Sequence, residues 1–169
     1  MQTVNEQYAK ARTISNEHND CAVIATSVAV NKPYDAVHAV YAAAGRKHRR
    51  GSTITMMDES LANLAAAADT ARPAKARQGG VTLAQWIAAH RTGRYVVAVT
   101  GHAIAVIDGV IHDWGRATSG PRKRVLYSWD VSHLTAAESK ARRAAPRAFE
   151  INWPKLGKRP AVECPTLDD

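Results

Sequence analysis

The sequence predicts an α+β fold in which N-terminal helices, one of them buried and carrying a cysteine, pack on an antiparallel β-sheet. Three features predict it. Cys21-Ala-Val-Ile-Ala-Thr-Ser-Val-Ala-Val30 is a near-continuous apolar run directly after the polar stretch Asn16-Glu-His-Asn-Asp20, the pattern of a helix buried on all sides. The segment 95–115 is rich in Val and Ile and contains Asp108-Gly109, a pair suited to a type I′ hairpin turn. Between the two lie segments whose apolar residues recur at helical spacing.

Pro33 opens and Gly45 closes a second helix over 33–44. Its apolar stripe is Tyr34, Val37, His38 and Tyr41, which makes His38 a histidine of the core edge rather than of a catalytic site. A third helix is expected over 57–69, with Leu61, Leu64, Ala65 and Ala68 inward. Thr82-Leu-Ala-Gln85 is a capping box, and the helix it starts carries Leu83, Trp86, Ile87 and His90 on one face. The strand signal runs over 95–107 and 110–115, and Arg122-Lys-Arg-Val-Leu-Tyr-Ser-Trp-Asp130 reads as a third strand completing a meander. A short helix is expected over 135–145. Beyond it Pro146, Pro154, Pro160 and Pro165 indicate an extended arm or a poorly ordered tail, with Trp153 the residue expected to pack back on the domain. The organisation is therefore one domain over 1–135 and a basic, Pro-containing C-terminal extension over 136–169.

Length and composition narrow the classes. At 169 residues the chain is long enough to bury a core without staples. No apolar stretch reaches transmembrane length, and Met-Gln-Thr-Val-Asn-Glu-Gln-Tyr lacks a signal-peptide pattern, so a cytoplasmic protein is expected. Two cysteines, Cys21 and Cys164, imply no disulfide framework, and a bridge between them is disfavoured inside a cell. The seven histidines and two cysteines make no zinc-finger or H-E-x-x-H spacing, so neither a metal nor a cofactor is expected.

Chemistry is concentrated in three residues. Cys21 falls in the first turn of a helix, among unpaired N–H groups at the positive end of the helix dipole, where the nucleophilic thiolate is favoured. With Asp108 and Gly109 as the two loop residues, Ile107 faces Val110, Val106 faces Ile111 and Ile104 faces Asp113. Alternation then puts His102, Ile104, Val106, Ile111 and Asp113 on one face, with Asp113 diagonal to His102 and His112 on the other face. A thiol, an imidazole and a carboxylate in this order are a candidate nucleophile, base and orienting group.

A Cys on a buried N-terminal helix, followed by His and Asp on adjacent antiparallel strands, resembles the papain-like cysteine peptidase superfamily, and within it the compact bacteriocin-processing type of bacterial peptidase. Asn19-Asp-Cys21, residues 34–51 and Gly101-His-Ala-Ile-Ala-Val-Ile-Asp-Gly-Val-Ile-His-Asp-Trp114 are also similar to small papain-fold proteins of bacteriophages. The likeness covers roughly residues 15–130. It implies a cysteine hydrolase acting on a peptide or isopeptide bond in a host or phage protein, with Cys21 as nucleophile, His102 as base and Asp113 as orienter. The family usually carries a Gln six residues before the Cys as oxyanion donor. Ser15 stands there, and Asn16 or Asn19 are the replacement candidates beside the Cys21 N–H. One missing donor costs about 2.7–4 kcal/mol of transition-state stabilisation.

The net charge of +8 raises a second class. Arg46-Lys-His-Arg-Arg50, Arg122-Lys-Arg124 and Lys140-Ala-Arg-Arg143 are separate basic clusters, and such clusters track phosphates or meet an acidic protein. Arg46, Lys47, Arg49 and Arg50 are the candidate binding patch. No helix-turn-helix, zinc module or stacking-aromatic signature accompanies them. Two readings therefore stand: a thiol hydrolase on a protein or peptide, or a catalytically weak papain fold that binds nucleic acid or an acidic partner.

Overall fold

Cys21–Val30 form helix α1, and every residue from Ala22 to Val30 is buried. With apolar side chains all round, this helix has no face to give to water and must be covered on every side. The structure, a computed structural model, describes residues 13–14, 16–113, 120 and 122–135. Helix α2 (Tyr34–Ala43) packs on α1, and α3 (Ile54–Ala67) packs on α2, all three contributing side chains to one core cluster. α1 stops where Asn31 turns left-handed at φ 55° and its N–H returns to the Ser27 and Val28 carbonyls. Arg94 seals the same end, its Nε donating to the Ala29 carbonyl at 2.6 Å and its Nη2 to the Val28 carbonyl at 2.8 Å. A guanidinium there meets the negative end of the helix dipole.

The helices lie against a five-stranded antiparallel sheet of β1 (Lys75–Arg77), β2 (Arg94–Val99), β3 (His102–Ile107), β4 (Val110–His112) and β5 (Val125–Asp130), ordered β1-β5-β2-β3-β4. Helix α4 (Leu83–Ala89) begins with the Thr82–Gln85 capping box. Alternation divides the sheet. Val96, Ala98, Ala103, Ala105 and Trp129 join α1, α2 and α3 in the larger core cluster. Val97, Val99, Ile104, Val106 and Val125 form the second cluster with Leu83 and Trp86 of α4. His90 stacks on Trp86 with ring centroids 4.0 Å apart, a packing role.

The α+β class and the antiparallel sheet stand as the sequence indicated, with five differences. The segment 95–107 is two strands, broken at Thr100-Gly101, where Gly101 takes φ 71°, open to glycine without strain. β5 does not complete a meander. It crosses back to pair with β2, whose Val96 and Val97 are fully buried and need a partner on both edges. β4 is left as an edge strand, with Val110 and Ile111 exposed, and it ends at His112 rather than at 115. β1 was not legible, because all three of its residues are exposed and none forms an apolar pattern. α3 starts at Ile54 rather than 57, because the Thr53 side chain caps it by accepting from the Met56 N–H at 3.2 Å. Ala68 is half-buried just past its end. The helix expected over 135–145, Trp153 and the extension 136–169 lie outside the described residues. Among the described residues no helix is long and apolar enough to cross a membrane.

Leu61 is fully buried in the larger cluster, between α3 and the rest of the core. Leu61→Ala is expected to lower the unfolding free energy by about 2–5 kcal/mol in urea denaturation, whereas Val110→Ala on the exposed edge should stay within about 0.5 kcal/mol.

Candidate active site

α1 delivers Cys21, its first residue, to the start of β3. The thiol is half-buried. Burial by itself pushes its pKa up. A hydrogen bond with His102, the Ala103 N–H, the His102 charge and the Ala22 N–H together outweigh that, so the thiol sits below its ordinary value of 9.0. His102 begins β3, and its Nε2 lies 2.6 Å from Asp113 Oδ1. That leaves the other ring nitrogen for the thiol. The hydrogen bond to Cys21 raises the imidazole most, burial opposes, and the bond to and charge of Asp113 add to the rise, giving a pKa of about 9. The Asp113 side chain is only 6% exposed, so water screens the pair poorly.

The register explains the contact. Ile107 pairs with Val110 and Ala105 with His112 across the Asp108-Gly109 turn, which puts Asp113 just past β4 and diagonal to His102. Asp108 adopts φ 48° and Gly109 φ 76°, the two positive values a type I′ turn needs. His112 pairs with Ala105 on the opposite face, and burial followed by the Arg94 charge lowers its pKa. Cys21, His102 and Asp113 are thus contiguous, and the arrangement suits a thiolate–imidazolium pair held by a carboxylate.

The oxyanion candidates are placed differently. Asn16 and Asn19 are both exposed, at φ 48° and 54°. Asn19 Nδ2 donates to the Arg49 carbonyl at 3.3 Å, so one of its amide hydrogens is committed away from Cys21. Ser15 and Cys164 lie outside the described residues. The fixed donor beside the thiol is the helix N-terminus itself, whose first N–H groups have no intrahelical acceptor.

The basic patch needs correction at Arg46. This side chain is buried, with its Nη1 donating to Glu17 Oε1 at 3.1 Å and its Nη2 to Glu17 Oε2 at 3.0 Å. A guanidinium so enclosed neutralises an internal carboxylate and offers nothing to a partner. Lys47, Arg49 and Arg50 remain exposed.

Sequence reasoning missed the acids of the loop before Cys21. Glu17, 1% exposed, also meets His38 Nε2 at 2.8 Å and accepts the Arg49 N–H at 3.0 Å. Burial opposes its ionisation, but the bonds to Arg46, His38 and Arg49 prevail and hold its pKa at about 2. Asp20, equally buried, accepts from the Tyr34 hydroxyl at 2.9 Å. His38 is accordingly structural. The overlooked signal was Glu17 beside an apolar helix, with Arg46 just past the next one. Among the described residues no group of three His, Cys, Asp or Glu side chains could hold a metal ion.

The depressed Glu17 pKa fixes a pH window. From its ordinary 4.5 down to about 2, the unfolded chain takes up a proton that the folded chain refuses, so the stability Glu17 contributes is present above 4.5 and lost as pH falls through that range. Glu17→Gln should be less stable at neutral pH and should lose less on acidification from pH 4.5 to 2, as read by denaturation at a series of pH values. Arg46→Met, which strands the buried carboxylate, should cost about 3–5 kcal/mol.

Comparisons of the chain with protein-family models, with curated proteins and with solved structures return no match.

Proposed function

We propose that the chain is a cysteine hydrolase of papain-like architecture that cleaves a peptide or isopeptide bond. The observation that carries this reading is the unbroken contact series from the Cys21 thiol through His102 to Asp113, at the first turn of a buried helix. The resemblance to phage papain-fold proteins favours a host or phage protein, met in the host cytoplasm, as the substrate.

In this mechanism the Cys21 thiolate attacks the carbonyl carbon of the scissile bond, and the carbonyl oxygen takes the negative charge. N–H groups of the α1 N-terminus face that charge. The protonated His102 gives its proton to the leaving nitrogen as the C–N bond breaks, and a thioester remains on Cys21. His102 then takes a proton from water, the resulting hydroxide attacks the thioester, and Cys21 leaves as thiolate with release of the acid. Asp113 keeps the ring oriented and stabilises its charged form throughout. The alternative, a catalytically weak papain fold that binds nucleic acid or an acidic partner, draws its support from exposed Lys47, Arg49 and Arg50.

Hydrolysis of p-nitrophenyl acetate, a simple acyl donor, tests the residues. Cys21→Ala and His102→Ala should each abolish turnover, and Cys164→Ala should leave it intact. Asp113→Asn should be milder, since an amide can still orient the ring. A Cys21→Ala variant with full activity would rule the mechanism out.

The pH dependence follows from the two shifts. Alkylation of Cys21 by iodoacetamide should set in below the range of a free thiol, near 8.5, because His102 stabilises the thiolate. Steps that need protonated His102 should fail as pH rises through about 9. Asp113 raises that value, so Asp113→Asn should move the alkaline limb of turnover to lower pH.

A further inference from the structure

We propose that residues 47–50 form a cationic rim beside Cys21 that selects substrates with acidic residues flanking the cleaved bond, an inference that rests on the hydrolase reading. The segment is fastened to the loop that leads into the nucleophile. Arg46 turns inward onto Glu17, and Lys47, His48, Arg49 and Arg50 all face solvent. Arg49 adopts φ 60°, a conformation that costs a non-glycine residue energy and persists only when its surroundings hold it. Its N–H donates to Glu17 Oε2 at 3.0 Å and its carbonyl accepts from Asn19 Nδ2 at 3.3 Å. Glu17 lies four residues and Asn19 two residues before Cys21. The rim is therefore tied on both sides of Arg49 to the approach to the thiol.

Charge in this neighbourhood is sorted by depth. The acids, Glu17 and Asp20, are buried against Arg46 and Tyr34, so neither faces an incoming chain. Among the described residues no carboxylate pairs with the side chain of Lys47, Arg49 or Arg50. Helix α3 follows at Ile54 with no acidic residue in its first turn, so its positive end adds to the same field. An acidic peptide fits this site better than a nucleic acid. Three cations on one short segment fall short of the roughly 6–10 phosphate contacts of a strong nucleic-acid binder, and a nucleic acid has no amide in its backbone for the thiol to cleave.

The test reads the field at Cys21 directly. In a Cys164→Ser background, Cys21 is alkylated by anionic iodoacetate and by neutral iodoacetamide, and the ratio of rates is compared between the native rim and Lys47→Glu/Arg49→Glu/Arg50→Glu. The native ratio should be higher by about fivefold at low ionic strength, and the difference should shrink in high salt. Arg50→Glu alone, which leaves the Arg49 backbone contacts in place, should shift the ratio the same way by less. A short oligoglutamate should slow labelling of the native chain, and oligolysine should not. Equal ratios in native and triple variant overturn the proposal. Protection by a single-stranded oligonucleotide but not by oligoglutamate overturns it too, and makes the rim a nucleic-acid surface. A Cys21 that labels only with an ordinary thiol pH profile would instead strike the hydrolase reading, while the ratio of rates still reports the rim.

Discussion

The burial of α1 is the constraint from which the rest follows. An apolar helix with no polar face can be stable only if it is enclosed, and here the sheet and α2 pack on it within a core cluster that α3 also joins. Enclosure has a consequence at each end. At the C-terminus the carbonyls of Val28 and Ala29 take the Arg94 guanidinium from the start of β2. At the N-terminus the Cys21 thiol meets β3 at the His102 ring and the Ala103 N–H. The helix is thus fixed against the sheet at both ends, and a thiol so held has little freedom to drift from its imidazole.

Close approach depends on small residues. The sheet face beneath α1 carries Ala98, Ala103 and Ala105, whose methyl side chains let a helix lie near the strand backbone. That is why the Cys21 sulfur can take the Ala103 N–H as well as the His102 ring. A larger residue at position 103 would push α1 outward and open both contacts together.

Much of this was legible. α1 matches its apolar run residue for residue, because burial on all sides leaves an unbroken signal in sequence. The Asp108-Gly109 turn set the β3–β4 register, and that register decides whether His102 shares a face with Asp113 while His112 points away. What failed were the non-local pairings. The partner of β5 is chosen by which strand edge is left open, and no local pattern in 122–130 says that the edge belongs to β2 rather than β4. β1 follows β5 for the same reason, with three exposed residues and no periodicity of its own. The buried acids were hidden likewise: Glu17 is 29 residues from Arg46, and charge alone reads as surface until the fold brings the pair together. Arg46, counted with its neighbours as one basic cluster, differs from them only in where its side chain points.

One feature of the site reconciles two facts that look opposed. By alternation His102 shares a face with Ile104 and Val106, which pack with α4, yet α1 packs on the Ala103 and Ala105 face. The ring reaches Cys21 because His102 is the first residue of β3, at the end of the sheet, where no further strand residue separates the two faces. A histidine two positions on, where Ile104 is fully buried, would be locked in the second cluster. The sheet's end is also where Asp113 emerges, one residue past β4. The three groups therefore converge at a rim of the sheet and not on either face. A strand residue facing Asp113 and a helix N-terminus on the far side have few other places in this fold where they can meet, which makes the position of His102 as restrictive as its chemistry.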